Sequence, residues 1–174
     1  MKTLSVACVL CVSLILFGCG GSGSSVPVDD YHEEYVPELY VFDIIDSYDV
    51  DTAAPNHPPL AFSPYLYDGL YEIFWDVNSL EDYTVSLRIN DRATLAGSLV
   101  ISSEVCGEGR RCDQSGNWAC EYTSDFYMSC NGSVSEVDIY PLITQVPQKL
   151  YMLLEICDSN SDYCEYDYYP VTLE

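Results

Sequence analysis

Apolar and polar residues alternate with a period of two in several short stretches of this chain. From Tyr71 to Val77, the residues Tyr71, Ile73, Trp75 and Val77 fall on one face of an extended segment and Glu72 and Asp76 on the other. Phe74 breaks the pattern, an apolar residue on the polar face. Tyr83, Val85, Leu87 and Ile89 then alternate with Thr84, Ser86, Arg88 and Asn90, the cleanest strand signal in the chain. Further strands are predicted over Leu39–Ile45, Leu99–Val105, Trp118–Tyr122, Phe126–Cys130, Val137–Leu142, Leu150–Ile156 and Glu165–Leu173. Asn90-Asp91, Ser115-Gly116-Asn117 and Asn131-Gly132 are the turn signals between them, and the last predicts a type I′ hairpin. Short strands with closely spaced turns predict an all-β, antiparallel sandwich over residues 37–174.

Upstream the pattern changes twice. After Met1, Lys2 and Thr3 comes an apolar run from Leu4 to Phe17, broken only by Ser5 and Ser13, which predicts a signal peptide over residues 1–18. The run is shorter than the roughly 20 residues that span a bilayer. From Gly20 to Val36 the chain is Gly, Ser, acidic residues and scattered Tyr without period, the composition of a flexible tether. Between the two, Leu16-Phe17-Gly18-Cys19 resembles the lipobox of bacterial lipoproteins, although Phe17 is bulkier than the residue usual at that place. The resemblance implies that cleavage frees Cys19, that Cys19 carries fatty acyl chains, and that the chain is exported and anchored to a membrane. Gly20 in place of Asp after the cysteine implies the outer membrane, in a host that has two.

Charge narrows the partners. Beyond the signal, Arg88, Arg92, Arg110, Arg111 and Lys149 stand against 28 acidic residues, a net charge of -23. That field repels nucleic acid and anionic headgroups and favours cations or basic partners. Of the nine cysteines, Cys8 and Cys11 leave with the signal and Cys19 takes the lipid. Cys106, Cys112, Cys120, Cys130, Cys157 and Cys164 remain, an even number that in an oxidising compartment predicts three disulfides. Cys157 with Cys164 closes a tight hairpin. For the other four, Cys106 with Cys112 and Cys120 with Cys130 are the short-loop pairings; Cys112 with Cys120 nested inside Cys106 with Cys130 is the alternative.

Catalytic chemistry finds little material. His32 lies in the tether and His57 in Asn56-His57-Pro58-Pro59, neither placed as a base, and oxidised cysteines offer no nucleophile. No cofactor is implied. Calcium is the candidate metal: Asp158, Asn160 and Asp162 reproduce the opening of a calcium loop, though Tyr163 stands where the loop needs Gly, and Asp43, Asp46, Asp49 and Asp51 form a second acidic cluster. Of sixteen tyrosines, Tyr163, Tyr166, Tyr168 and Tyr169 crowd the last hairpin and are the candidate binding residues, since exposed tyrosines serve protein contacts and sugar stacking alike.

Trp75 followed by Tyr83-Thr84-Val85-Ser86-Leu87 resembles the B and C strands of fibronectin type III and related immunoglobulin-like domains. Tyr151–Cys157 with Glu165–Leu173 resembles their closing F and G hairpin. The resemblance covers under half of the domain and implies an immunoglobulin-like sandwich in which Cys106 to Cys130 is an insertion or elaborated hairpin. The expectation is a non-enzymatic, membrane-tethered domain that displays an acidic, tyrosine-rich surface to an envelope or cell-surface protein. A carbohydrate-binding module is the alternative, distinguished by Tyr and Trp aligned on one exposed face, and an enzyme built on a carboxylate pair is the third. The strand Leu39–Ile45, following the tether, is also a candidate for pairing with a neighbouring copy.

Overall fold

The computed structural model describes residues 36–79, 81–131 and 135–174. The signal segment, Cys19, His32 and the tether up to residue 35 lie outside the described residues, as does Gly132 of the predicted hairpin turn.

The alternating segments become ten strands: β1 (Glu38–Ile45), β2 (Leu60–Phe62), β3 (Leu70–Asn78), β4 (Tyr83–Asn90), β5 (Leu99–Cys106), β6 (Ser115–Tyr122), β7 (Tyr127–Cys130), β8 (Val137–Asp138), β9 (Gln148–Asp158) and β10 (Cys164–Leu173). They form two five-stranded sheets, sheet A in the order β1-β3-β6-β7-β8 and sheet B in the order β2-β10-β9-β4-β5. All ladders are antiparallel except β2 beside β10. The all-β sandwich expected from the alternation is the fold. The β1 strand pairs with β3 of its own chain along most of its length.

Connectivity follows the immunoglobulin-like order in part. The β1-β3-β6 ladder and the β10-β9-β4-β5 ladder correspond to A-B-E and G-F-C-C′, and β9 and β10 form the closing hairpin as anticipated. Outside β6, however, lie β7 and β8, which follow it in the chain, where the immunoglobulin order places a strand that precedes it.

The inward residues of each strand meet in one core. Trp75 and Trp118 pack with ring centroids 4.6 Å apart, Phe62 of sheet B stacks on Tyr71 of sheet A at 4.3 Å, and Phe42 meets Tyr169 at 5.3 Å. The last two contacts tie the two sheets together, while the tryptophan pair joins neighbouring strands of sheet A, and each adds to the burial of large apolar area. The disulfides are the local ones: Cys106–Cys112, Cys120–Cys130 and Cys157–Cys164. The last two join residues directly opposite on neighbouring strands, and the nested alternative is not formed.

Several boundaries differ from expectation. Ser115-Gly116-Asn117 is no turn; it is the start of β6, paired with Asp76, Trp75 and Phe74. Gly116 is there because the Trp75 indole lies across it: a Cβ at this position would sit 2.2 Å from the ring. The strand predicted over Val137–Leu142 ends at Asp138 and gives way to a 3-10 turn at Tyr140–Leu142, in keeping with Pro141, which has no N–H for a ladder. Asn131 does adopt a left-handed turn conformation, φ 53°. The three-residue β2 escapes the alternation rule because it is too short to show a period.

Candidate functional site

Strand register assigns every exposed side chain to one of two outer faces, and the two faces differ in chemistry. On sheet B the inward residues are Leu150, Met152, Leu154 and Ile156 of β9 and Val171 and Leu173 of β10. Their neighbours therefore point outward. The register aligns Tyr166 with Glu155, Glu155 with Ser86, and Ser86 with Ser103. The next row is Tyr168, Leu153, Arg88 and Val100, and beyond it lie Pro170, Tyr151 and Asn90. Leu153 is buried although it points outward, so the side chains around it close over it. Tyr166 and Tyr168 are 39% and 45% exposed, and Tyr168 meets Tyr151 edge-on at 5.9 Å.

Charge on this face is sparse. Among the outward strand residues, Glu155 is the one acid, and Arg88 binds it at 2.7 Å. Lys149 lies 5.3 Å over the Tyr151 ring. Ser86 and Ser103 satisfy each other at 2.9 Å. A chain with 28 acidic residues thus presents one sheet face with more bases than acids.

The four candidate tyrosines are not brought together. Alternation sends Tyr166 and Tyr168 outward and Tyr169 inward onto Phe42, while Tyr163 sits in the β9–β10 turn. Burial raises the Tyr169 hydroxyl above its ordinary value, an effect offset in part by Thr52 and reinforced by Asp43, Asp167 and Asp51. Sequence spacing did not reveal that Arg88, Leu153 and Tyr151 belong to the same surface, since they come from strands far apart in the chain.

The outer face of sheet A is acidic. Its rows are Val41, Asp76 and Ser115, then Asp43, Phe74 and Asn117, then Ile45, Glu72 and Ala119. Phe74, the apolar exception on its strand, lies at the centre. The β1–β2 loop adds Asp51 and Ala53, and together these side chains border a groove of about 600 Å³ whose wall includes Trp75 and Arg111. The Trp75 indole N–H is buried and has no acceptor in hydrogen-bonding geometry, although it lies near enough to the Tyr83 hydroxyl to offset part of the upward push of burial there. The Arg111 guanidinium is engaged by Glu104, which also accepts from the Trp118 indole at 3.2 Å. Arg111 first, and then Trp118, hold the Glu104 carboxyl below its ordinary value against an opposing contribution from burial.

Of the two acidic clusters singled out in the sequence, Asp43, Asp46, Asp49 and Asp51 do not bring three carboxylates to a common point. Asp46 is buried and organises the β1–β2 loop: its carboxylate accepts from the backbone N–H groups of Tyr48 and Val50 at 2.8 Å each and of Ala61 at 2.7 Å. Asp49 has φ 62°, Asp51 accepts from the Ala53 N–H, and Asp43 accepts from the Thr52 hydroxyl. In the other cluster, the Asp158 N–H donates to the Tyr163 carbonyl at 3.0 Å, closing the hairpin, and the Asn160 amide donates to Glu81 at 2.5 Å. Among the described residues, the metal-ligand atoms that converge within 4.8 Å are those of Glu155, Cys157 and Cys164, and these two cysteines are a disulfide. His57 donates its Nδ1–H only locally, to the Pro58 carbonyl at 2.8 Å, and rests edge-on against Tyr169. Among the described residues no helix is long and apolar enough to cross a membrane.

Comparison with protein families, with curated proteins and with solved structures finds no match to the chain.

Proposed function

We propose that this chain is a non-enzymatic, lipid-anchored display domain that binds an envelope or cell-surface protein through the outer face of sheet B. One observation carries the reading: on a protein of net charge -22, this sheet face combines tyrosines with two bases, Arg88 and Lys149, and one acid, Glu155. Tyrosine and arginine are the side chains enriched at the centres of protein interfaces, where unpaired carboxylates are depleted. Tyr166, Tyr168 and Tyr151 supply rigid amphipathic area, and the Arg88–Glu155 pair enters an interface already neutralised. A sugar-binding face would draw on tryptophan as well, and both tryptophans are buried against each other. Anchoring through Cys19 would hold this surface near the membrane at high local concentration.

The test is capture from detergent-solubilised envelopes with the full chain, followed by binding of the identified protein in purified form. The double substitution Tyr166→Ser and Tyr168→Ser is expected to weaken that binding by about a hundredfold, the scale of two interface anchors. Unaltered binding by the double variant, or glycan binding with no protein retained, overturns the assignment. Loss of radiolabelled fatty acid from the Cys19→Ser variant checks the anchor separately.

A further inference from the structure

We propose that the groove on the outer face of sheet A is a second binding site, one that takes an arginine or lysine side chain displayed by a protein partner. It is independent of the tyrosine face, which lies on the other sheet. Phe74 offers its ring at the middle of the groove, with Val41 and Ile45 of β1 on either side of the Asp43 that faces it. Around this apolar floor stand Asp43 of β1, Asp76 of β3 and Asp51 of the β1–β2 loop. An apolar floor with a carboxylate rim complements a side chain that has an alkyl stem and a cationic head, and an aromatic face adds cation–π attraction.

The one base that borders the groove among the described residues is already paired. Among the described residues, the arginines form ion pairs elsewhere, with Glu155, Asp91, Asp82 and Glu104. Arg111, the base at the groove wall, is the one held by Glu104. Uncompensated carboxylates in a concavity focus negative potential on its contents.

The geometry also selects among cations. The oxygens of Asp43, Asp51 and Asp76 do not converge within 4.8 Å of one another, too dispersed to share one metal ion, and a volume of about 600 Å³ exceeds what a single ion needs. An extended organic cation spans such a rim. The chain's own N-terminal segment is unsuited to fill it, carrying Asp29, Asp30, Glu33 and Glu34 and no lysine or arginine after Lys2. A second copy brings net charge -22 and an Arg88 already tied to Glu155.

The probe is a fluorescein-labelled decapeptide alternating arginine and valine, titrated into the full chain in non-ionic detergent, beside counterparts in which citrulline replaces arginine and a panel of neutral oligosaccharides. The arginine peptide is expected to bind saturably and to perturb the fluorescence of Trp75 in the groove wall. The citrulline peptide should bind at least about tenfold more weakly. Asp43→Asn with Asp76→Asn should weaken arginine-peptide binding by about tenfold or more, and Phe74→Ala should weaken it as well. Removing the same number of charges at exposed Asp125 and Glu136, as Asn and Gln, should leave it within about twofold, as should the tyrosine-face double variant. Equal losses in the groove and control variants would reduce the effect to general charge and overturn the site. So would equal binding of the citrulline peptide, preferential binding of an oligosaccharide, or dimerisation of the chain through the groove. Circular dichroism of each variant confirms that its fold is intact.

Discussion

A methyl group added at Gly116 would lie 2.2 Å from the Trp75 ring, closer than any real contact, and the ring is itself buried and packed against Trp118. Gly116→Ala should therefore cost about 2 kcal/mol or more, seen as a lower denaturant midpoint at unchanged slope. Asp46 presents the complementary case of a polar residue that structure requires. Its carboxylate serves three backbone N–H groups, so Asp46→Ala leaves buried donors unpaired and should cost about 3 kcal/mol, while Asp46→Asn, which keeps one oxygen, should cost less. Equal melting temperatures for these two variants would show that the loop finds other partners. The sequence marked both positions for other reasons, Gly116 as part of a turn, which the β6 ladder overturns, and Asp46 as one of an acidic cluster. Ser, Gly, Asn and Asp have the same composition whether they bend the chain or accommodate a neighbour, and the neighbour is distant in sequence.

At the scale of strands, the period-two alternation predicted what it physically determines. Tyr83 to Asn90 and Tyr71 to Val77 place their apolar residues on the core side as expected, because one shift in register would bury Arg88 or Glu72. Strand order is beyond alternation's reach, and with it the departure from the immunoglobulin order at β7 and β8. The two outer faces were equally hidden. Phe74 was visible as an exception, but its placement beside Asp43 and Asn117 requires the β1 and β6 registers. The cross-strand disulfide Cys157–Cys164 closes the end of the β9–β10 hairpin beside Tyr166 and Glu155. Its sequence separation of 7 makes the entropic gain modest, about 2 kcal/mol. Replacing both cysteines by serine should lower stability by about that amount and raise amide hydrogen exchange first in Glu165 and Tyr166, before the core of β9 opens. Uniform acceleration across both strands would mean that the bridge supports the whole sheet.

For the molecule as a whole, charge sets a pH optimum that its individual pairs would not choose. Net charge of -22 is held closer together in the folded state than in the unfolded one, so self-repulsion destabilises the fold at neutral pH. Salt screens that repulsion over a Debye length of about 10 Å at 0.1 M, and the melting temperature at pH 8 should rise with added sodium chloride. Acidification should act in the same sense at first, as carboxylates begin to take protons near pH 5. The paired groups oppose it. Asp82 and Glu104 have carboxyls held below their ordinary values of 3.8 and 4.5, chiefly by hydrogen bonds from Arg110 and Arg111. A carboxylate with a depressed folded value stabilises the fold fully above its unfolded value and loses that contribution as pH falls through the folded one. The Asp82–Arg110 pair is exposed and the Glu104–Arg111 pair partly so, so their weight is small beside the relief of repulsion until the pH drops below about 4. The melting temperature in low salt should therefore climb from pH 8 to a maximum near pH 5 and decline below about pH 4, and 0.5 M salt should flatten the climb more than the decline. Arg111→Gln should lower the curve above pH 5 and merge with the parent curve at the acid end, where Glu104 is protonated in both. A parent curve that falls steadily from pH 8 downward would show that specific ion pairs, and not the overall field, govern the stability of this sandwich.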